Sequence, residues 1–154
     1  MDIHSGSKYP SNALSNFAPH PFVFDGVQCN SMEGLLQAFK FKNHEMQKHI
    51  CTLVGKKARF SGGKKTWWRQ QRLWWKGVGY PRESEEYQRL LDRAYEALGA
   101  NEGFRKALLA SGNAVFTHSI GGTVPKKTVL TRREFCGRLT KLRERVKNEE
   151  AFYD

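Results

Sequence analysis

The chain has 154 residues, 39% hydrophobic and 27% charged, which suits one domain with a sizeable core. Its net charge is +11, and between Lys40 and Arg82 twelve Lys or Arg stand against the single acid Glu45. Such a field either favours phosphate-bearing partners, nucleotide or nucleic acid, or is a solvated basic face. No run approaches the roughly 18 apolar residues of a membrane span, and the first residues carry no apolar signal-peptide core. Cys29, Cys51 and Cys136 lack metal or redox spacing and read as reduced thiols of a cytoplasmic protein.

In chain order, the first forty residues mix turns and short strands. In PFVFDGVQC the apolar residues flank Asp25-Gly26, the two-residue signature of a tight hairpin. Asp25 is therefore read as a turn residue and not as a catalytic acid. Ser31 is the N-cap of a helix expected over residues 32–41, and a second helical stretch, about 45–54, stops at Gly55. ARFSGGKK reads as a break. A helix over about 64–76 would carry WWRQQRLWW, whose two tryptophan pairs return to one face. Adjacent tryptophans on a helix point about 100° apart, so at least one of the four is core. The others are either core as well or, with Arg69 and Arg72 beside them, a stacking platform for bases.

Ser84 caps the next helix, with Glu85 and Glu86 in its first turn, and that helix runs to about residue 98. Asn101 caps another that ends near Ser111-Gly112. Residues 113–130 form the longest irregular stretch, containing Gly121-Gly122 and Pro125. The last helix opens on a capping box, Thr131 with Glu134, and a hydrophobic staple, Leu130 with Phe135. It is expected to end near residue 146, before a polar tail over 147–154. The expected fold is a mainly helical α+β single domain with a small β-hairpin element near its N-terminus and a core over about 12–146.

The segment NSMEGLLQAFKF carries the clearest chemical pattern. At 100° per residue, Glu33, Gln37 and Lys40 share a stripe about 60° wide, bordered by Phe41 and Gly34 on one side and by Leu36, Met32 and Phe39 on the other. A polar line inside an apolar surround suits the wall of a pocket, or else a buried Glu33–Lys40 pair that holds the fold together. Glu33 lies in the first turn, where the helix dipole favours its ionised form, while an apolar pocket would raise its pKa. In either state a hydrogen-bonded carboxyl in a dry cleft can serve as an acid or base.

These residues resemble a known family. SNF at Ser15–Phe17, an apolar hairpin, and then SMEGLLQAFKF are similar to the NADAR family of YbiA-like N-glycosidases, whose helix carries Glu-x-x-x-Gln-x-x-Lys-Phe. The likeness continues more loosely through LVGKKARFSG, the Trp-rich segment and FRKALLASGN. It implies cleavage of an N-glycosidic bond at the anomeric carbon of a ribose. The substrate it implies is a phosphorylated ribosyl or ADP-ribosyl small molecule, a 5-phosphoribosylamino-pyrimidine or ADP-ribosyl-guanine, with ADP-ribosylated nucleic acid as a further class. By that resemblance Glu33 is the catalytic carboxylate. Asn16, Phe17, Gln37 and Lys40 are the substrate-binding residues beside it, and Trp68 is added from the tryptophan platform.

The chain departs from the family where many members carry Asp-x-x-Trp-Gly, because it has no Trp after Trp75. THSIGGTVPKK stands in that region. His118, Ser119 and Gly121 are the expected replacements, with backbone N–H groups of the Gly121-Gly122 turn meeting a phosphate. His118 is also the best histidine for a second proton transfer.

HEMQKH is not a zinc motif, since His44 and His49 are five apart and Lys48 holds the ligand position. The two Gly pairs match neither a P-loop nor a dinucleotide fingerprint. Neither a metal nor a redox cofactor is expected, and water would be the second substrate. The alternative is a non-enzymatic module that binds ADP-ribose, NAD or nucleic acid in the same pocket.

Overall fold

At Asp25-Gly26 and again at Lys76-Gly77 both turn residues have positive φ: 48° and 79°, then 49° and 84°. This is the geometry of a tight two-residue hairpin turn, and it needs a glycine at the second position. In the computed structural model, which describes residues 1–63 and 65–153 (Tyr153 by its backbone alone), each turn closes an antiparallel pair. Strand β1 (Phe22–Phe24) pairs with β2 (Val27–Cys29), with Phe22 opposite Cys29. Strand β3 (Arg72–Trp75) pairs with β4 (Val78–Pro81), with Trp74 opposite Gly79.

The second hairpin corrects the expected helix over 64–76. The helix here, α5 (Trp67–Gln70), lasts one turn and stops at Gln71, whose φ of 53° is left-handed. The chain then alternates as a strand: Leu73 and Trp75 point into the core while Arg72 and Trp74 point out. An alternation of period two over RLWW had been overlaid by the seven-residue recurrence of the tryptophan pairs. Lys64, the first residue of the expected helix, lies outside the described residues.

Helix α2 (Met32–Ala38) is the centre of the fold. Ser31 caps it by accepting from the Gly34 N–H and donates its own hydroxyl proton to Leu53 O at 2.9 Å. Met32, Leu35, Leu36, Ala38 and Phe39 are all buried. Gly34 faces the carbonyls that end α3 (His44–Cys51) so closely that a Cβ would lie 2.8 Å from Leu53 O. Helix α2 packs on α3, on α4 (Gly55–Ser61) and on α6 (Glu85–Leu98), while α7 (Glu102–Ala110) packs on α1 (Ser11–Leu14) and on α8 (Arg132–Tyr153). Helix α6 buries Tyr87, Leu90, Leu91, Ala94, Tyr95 and Leu98, one face at helical spacing.

Helix α4 covers part of the expected break, since ARFS belongs to its last turns and only Gly62-Gly63 turns away. Helix α8 opens on the expected capping box: Thr131 N–H donates to Glu134 Oε1 at 2.7 Å and Glu134 N–H to Thr131 Oγ1 at 3.2 Å. It continues past residue 146 to Tyr153, so the polar tail is helical as far as the described residues go. Ion pairs from Arg105 to Glu149 (2.6 Å) and from Arg145 to Glu96 (3.0 Å) tie this helix to its neighbours. No helix among the described residues is long and apolar enough to cross a membrane.

Two buried polar side chains join the elements. Gln47 is wholly buried and donates from Nε2 to Ala38 O, Phe41 O and Trp74 O at 2.8–3.1 Å, which locks the end of α2 to α3 and β3. Arg82, 1% exposed, reaches Glu134 at 2.6 Å and donates from Nε to Thr128 O at 2.8 Å. The irregular stretch before α8 is held by such contacts, including Tyr87 Oη to Val129 O at 2.6 Å.

Candidate active site

Asn16 and Glu33 are brought together by backbone. The Glu33 N–H, one of the free donors of the first turn of α2, donates to Asn16 O at 3.0 Å, so the Ser-Asn-Phe loop is seated on that helix end. On the other side, Tyr95 Oη from α6 donates to Asn16 Oδ1 at 2.8 Å. Tyr95 is buried, and burial holds its phenol well above the ordinary tyrosine value, so it remains a donor. Asn16 is thereby fixed by two independent elements.

Glu33 opens into a cleft of about 540 Å³ that is also lined by Asn16, Phe17, Gln37, Lys40 and His118. Gln37 Nε2 donates to Glu33 Oε1 at 2.9 Å, one turn along the helix. The other end of that amide, Gln37 Oε1, accepts no hydrogen bond among the described residues and lies against Gly62, where a Cβ would collide with it. Burial raises the Glu33 carboxyl above its ordinary value of 4.5, against the opposing influence of the Gln37 bond and of the Lys40, Arg59 and His118 charges. Burial also lowers the Lys40 ammonium, which the Glu33 charge opposes and the Arg59 charge reinforces. Glu33 and Lys40 form no ion pair within 4.0 Å, so a tight structural pair is not what this stripe builds.

The rim is cationic. Lys56 and Arg59 of α4 and Lys127 of the 3-10 turn Pro125–Lys127 join Lys40 around one carboxylate. His118 is anchored by Nδ1 to Ile3 O at 2.8 Å, which in the neutral ring makes Nδ1 the donor and Nε2 the acceptor. His4 and Ser5 from the N-terminal segment also reach the cleft, as do Trp67, Ile120, Thr128 and Val129.

Trp68, Ser119 and Gly121 are placed as follows. Trp68 does not line the cleft; it is 51% exposed, with the Arg69 guanidinium 5.3 Å from its ring, and its neighbour Trp67 takes the inward direction. Ser119 is engaged by Asp2, its N–H donating to Oδ1 at 2.8 Å and its hydroxyl to Oδ2 at 2.6 Å. Those bonds hold the Asp2 carboxyl below its usual range. Gly121 lines the cleft, but its N–H is bonded to His118 O at 3.0 Å and is not free for a phosphate. A Cβ there would strike the His118 ring, so this glycine makes room for the histidine.

Lys56, Arg59, Lys127, Tyr95 and His4 are not marked as site residues by any motif in the sequence, and Trp67 only as one of four tryptophans. The first two lie in the basic run, which was the available signal. Tyr95 and His4 come from distant segments and carry no local mark.

A central α2 with a Ser-Asn-Phe loop on its first turn, between two hairpins and a shell of helices, defines a YbiA-like α+β protein. The NMR structure of the E. coli protein YbiA superposes with a TM-score of 0.62 over 98% of this chain and 86% of that one, at 21% identity. The profile of the family described as bacteriophage protein GP30.3 matches residues 8–144, and the chain belongs to that family. It is also similar to an uncharacterized 17.1 kDa protein in the Gp30-rIII intergenic region of Enterobacteria phage T4. Those two sequences are 43% identical over 149 residues, which span 94% of this chain and 97% of that one.

Proposed function

We propose that the cleft hydrolyses the N-glycosidic bond at the ribose anomeric carbon of a phosphorylated ribosyl or ADP-ribosyl compound, with Glu33 as the working carboxylate. The observation that carries this reading is, among the described residues, a single lining carboxylate, held by Gln37 and raised by burial, inside a ring of four cations. The cations suit the substrate's phosphates, and the carboxylate suits the oxocarbenium-like charge that develops at the anomeric carbon.

In the reaction, the C–N bond breaks with its electron pair going to the base. The oxygen of water bonds to the anomeric carbon, and the proton that water loses ends on the released base. Ionised Glu33 faces the developing cation and takes up the water proton; His118 Nε2 is a further proton-carrying group in the cleft. Asn16, fixed by Tyr95 and by Glu33's own backbone, is suited to orient the ribose hydroxyls. Phe17 offers a ring to the base.

The test is a substrate panel followed by mass spectrometry: a 5-phosphoribosylamino-pyrimidine, NAD, ADP-ribose and an oligonucleotide bearing ADP-ribosylated guanine. Wild type should release a free base from at least one of them. Glu33→Gln should lose 10²-fold or more of kcat, of the order seen when one preorganised electrostatic group is removed, while binding is largely kept. Tight binding without cleavage by either form would instead establish a reader of the same compounds.

A further inference from the structure

The cations outside the cleft are not distributed like those of the rest of the chain. Elsewhere several arginines are matched with acids: Arg82 with Glu134, Arg93 with Asp25, Arg105 with Glu149, Arg138 with Asp92 and Arg145 with Glu96. Among the described residues, Lys42, Lys57, Lys65, Arg69 and Arg72 are in no ion pair, and all are exposed. The one acid of that stretch, Glu45, is already bound to Lys48 at 3.1 Å.

Four of these five cations lie over aromatic rings. Lys42 Nζ sits 4.8 Å from the centre of the Trp74 ring and the Arg72 guanidinium 5.8 Å from it. Lys65 Nζ is 4.4 Å from the Phe41 ring, and Arg69 is 5.3 Å from the ring of Trp68. Gly79, opposite Trp74, has no side chain, and a Cβ there would meet both the Trp74 ring and the Arg72 side chain. Trp68 is 51% exposed and Phe60, at the end of α4, is 71% exposed. Large aromatics left open among unpaired cations are a poor choice for solubility alone.

The surface is continuous with the cleft along the chain. Lys40 lines the cleft, Phe41 lies under Lys65, and Lys42 lies on Trp74. Likewise Trp67 faces inward while Trp68, the next residue of α5, faces out.

We propose that the face made by α5, Lys42 and the β3–β4 hairpin binds single-stranded nucleic acid, whose strand runs past the mouth of the cleft. Exposed aromatic rings stack unpaired bases, while cations beside them take the phosphates; a duplex hides its base faces and could use only the cations. This goes beyond the glycosidase reading, because an unmodified strand should bind whether or not Glu33 turns anything over.

The experiment is fluorescence anisotropy with a labelled 20-nucleotide mixed-sequence DNA strand, competed by the unlabelled strand, its duplex or inorganic polyphosphate of equal charge. The strand should compete at least tenfold better than either of the others. Trp68→Ala, at an exposed site, should weaken binding by about 5- to 150-fold, the range of one base–aromatic stack, with an unchanged melting temperature. Removing Arg69 and Arg72 together should reduce the salt slope by about 0.7 for each phosphate that is no longer neutralised. Equal competition by duplex or polyphosphate, an unaffected Trp68→Ala, or no binding would each overturn the proposal. Running the same titration on Glu33→Gln keeps the two readings apart: it should bind the strand as wild type does, whatever the outcome of the substrate panel.

Discussion

Ionising Glu33 works against its own burial, and this has a cost in stability that can be measured. Its folded pKa is raised by burial, so the folded chain takes up the proton more readily than the unfolded chain does. Its favourable contribution is complete below the ordinary value of 4.5 and is lost as pH rises through the raised value. Glu33→Gln removes the charge and can still accept from Gln37. It should therefore raise stability at neutral pH by on the order of 1 kcal/mol, about 2–4 °C in melting temperature, and the gain should vanish near pH 4. Thermal melts of both forms from pH 4 to 8 check this; a lower melting point for the variant at pH 7 would mean that Glu33 is structural. On the proposed function the same ionisation would set the rate. If ionised Glu33 does the work, kcat/KM should climb with pH through an apparent pKa above the ordinary glutamate value. A second residue-scale consequence falls on Gly62. Gly62→Ala drives a methyl into Gln37 Oε1 and should disturb the Gln37–Glu33 bond. Activity should fall by tenfold or more while the fold, read by circular dichroism, is kept. The stripe of Glu33, Gln37 and Lys40 was legible because Glu33 and Gln37 lie on one helix and Lys40 in the turn that ends it, since α2 stops at Ala38 and not at residue 41 as expected. Tyr95 and Gly62 were not, because both act from elsewhere in the chain and only the folded geometry gives them a partner.

At the level of elements, capping chemistry was the most readable signal. Ser31, Ser84, Asn101 and the Thr131–Glu134 box all begin helices, since each supplies a side-chain acceptor to a free N–H of a first turn. The end of α8 and the second hairpin were less readable. A polar helix end carries no stop signal, and Lys76-Gly77 makes a hairpin only when positive φ is accepted at a lysine. The irregular stretch 113–130 owes its order to side chains from other elements, which no local pattern announces. Arg82 is the main one. It bonds Thr128 O and Glu134, so it links that stretch to β4 and α8. Burial raises the Glu134 carboxyl, but the bonds from Arg82, Thr131 and Gln88 outweigh it and the net shift is downward. A depressed carboxylate contributes stability above its ordinary value of 4.5 that is lost as pH falls through the depressed value. Arg82→Ala leaves Glu134 largely buried and without its cation. It should cost about 3–5 kcal/mol at pH 7, and less as acid protonates Glu134. Urea unfolding at pH 7 and pH 4 measures both; equal losses at the two values would mean that Arg82 acts by packing and its Thr128 bond, and not by its charge on Glu134.

Across the whole molecule, positive charge is divided between two regimes. Among the described residues of α6–α8, Arg89, Arg93, Arg105, Arg138 and Arg145 pair with acids, while Lys56, Arg59 and Lys127 at the cleft and Arg69 and Arg72 beside β3 are in no ion pair, and residues 40–82 carry an excess equal to the net charge of +11. Like charges kept close together destabilise the compact state, and salt screens them, with a Debye length of about 10 Å at 0.1 M. Sodium chloride from 20 to 200 mM should thus raise the melting temperature by about 2–4 °C, of the order of 1 kcal/mol. An anion that occupies the cleft should do more than screen, because a ligand bound only by the folded state stabilises it by RT ln(1 + L/Kd), with L the free ligand concentration. Inorganic phosphate at equal ionic strength should exceed chloride in this effect. The excess should disappear in Arg59→Gln, which removes one rim cation, and persist in Arg89→Gln, whose cation lies on α6 and pairs weakly with Glu85 and Glu86. If phosphate and chloride shift the melt equally in wild type, the ring of four cations does not hold phosphate, and the positive field acts on the molecule only through its own repulsion.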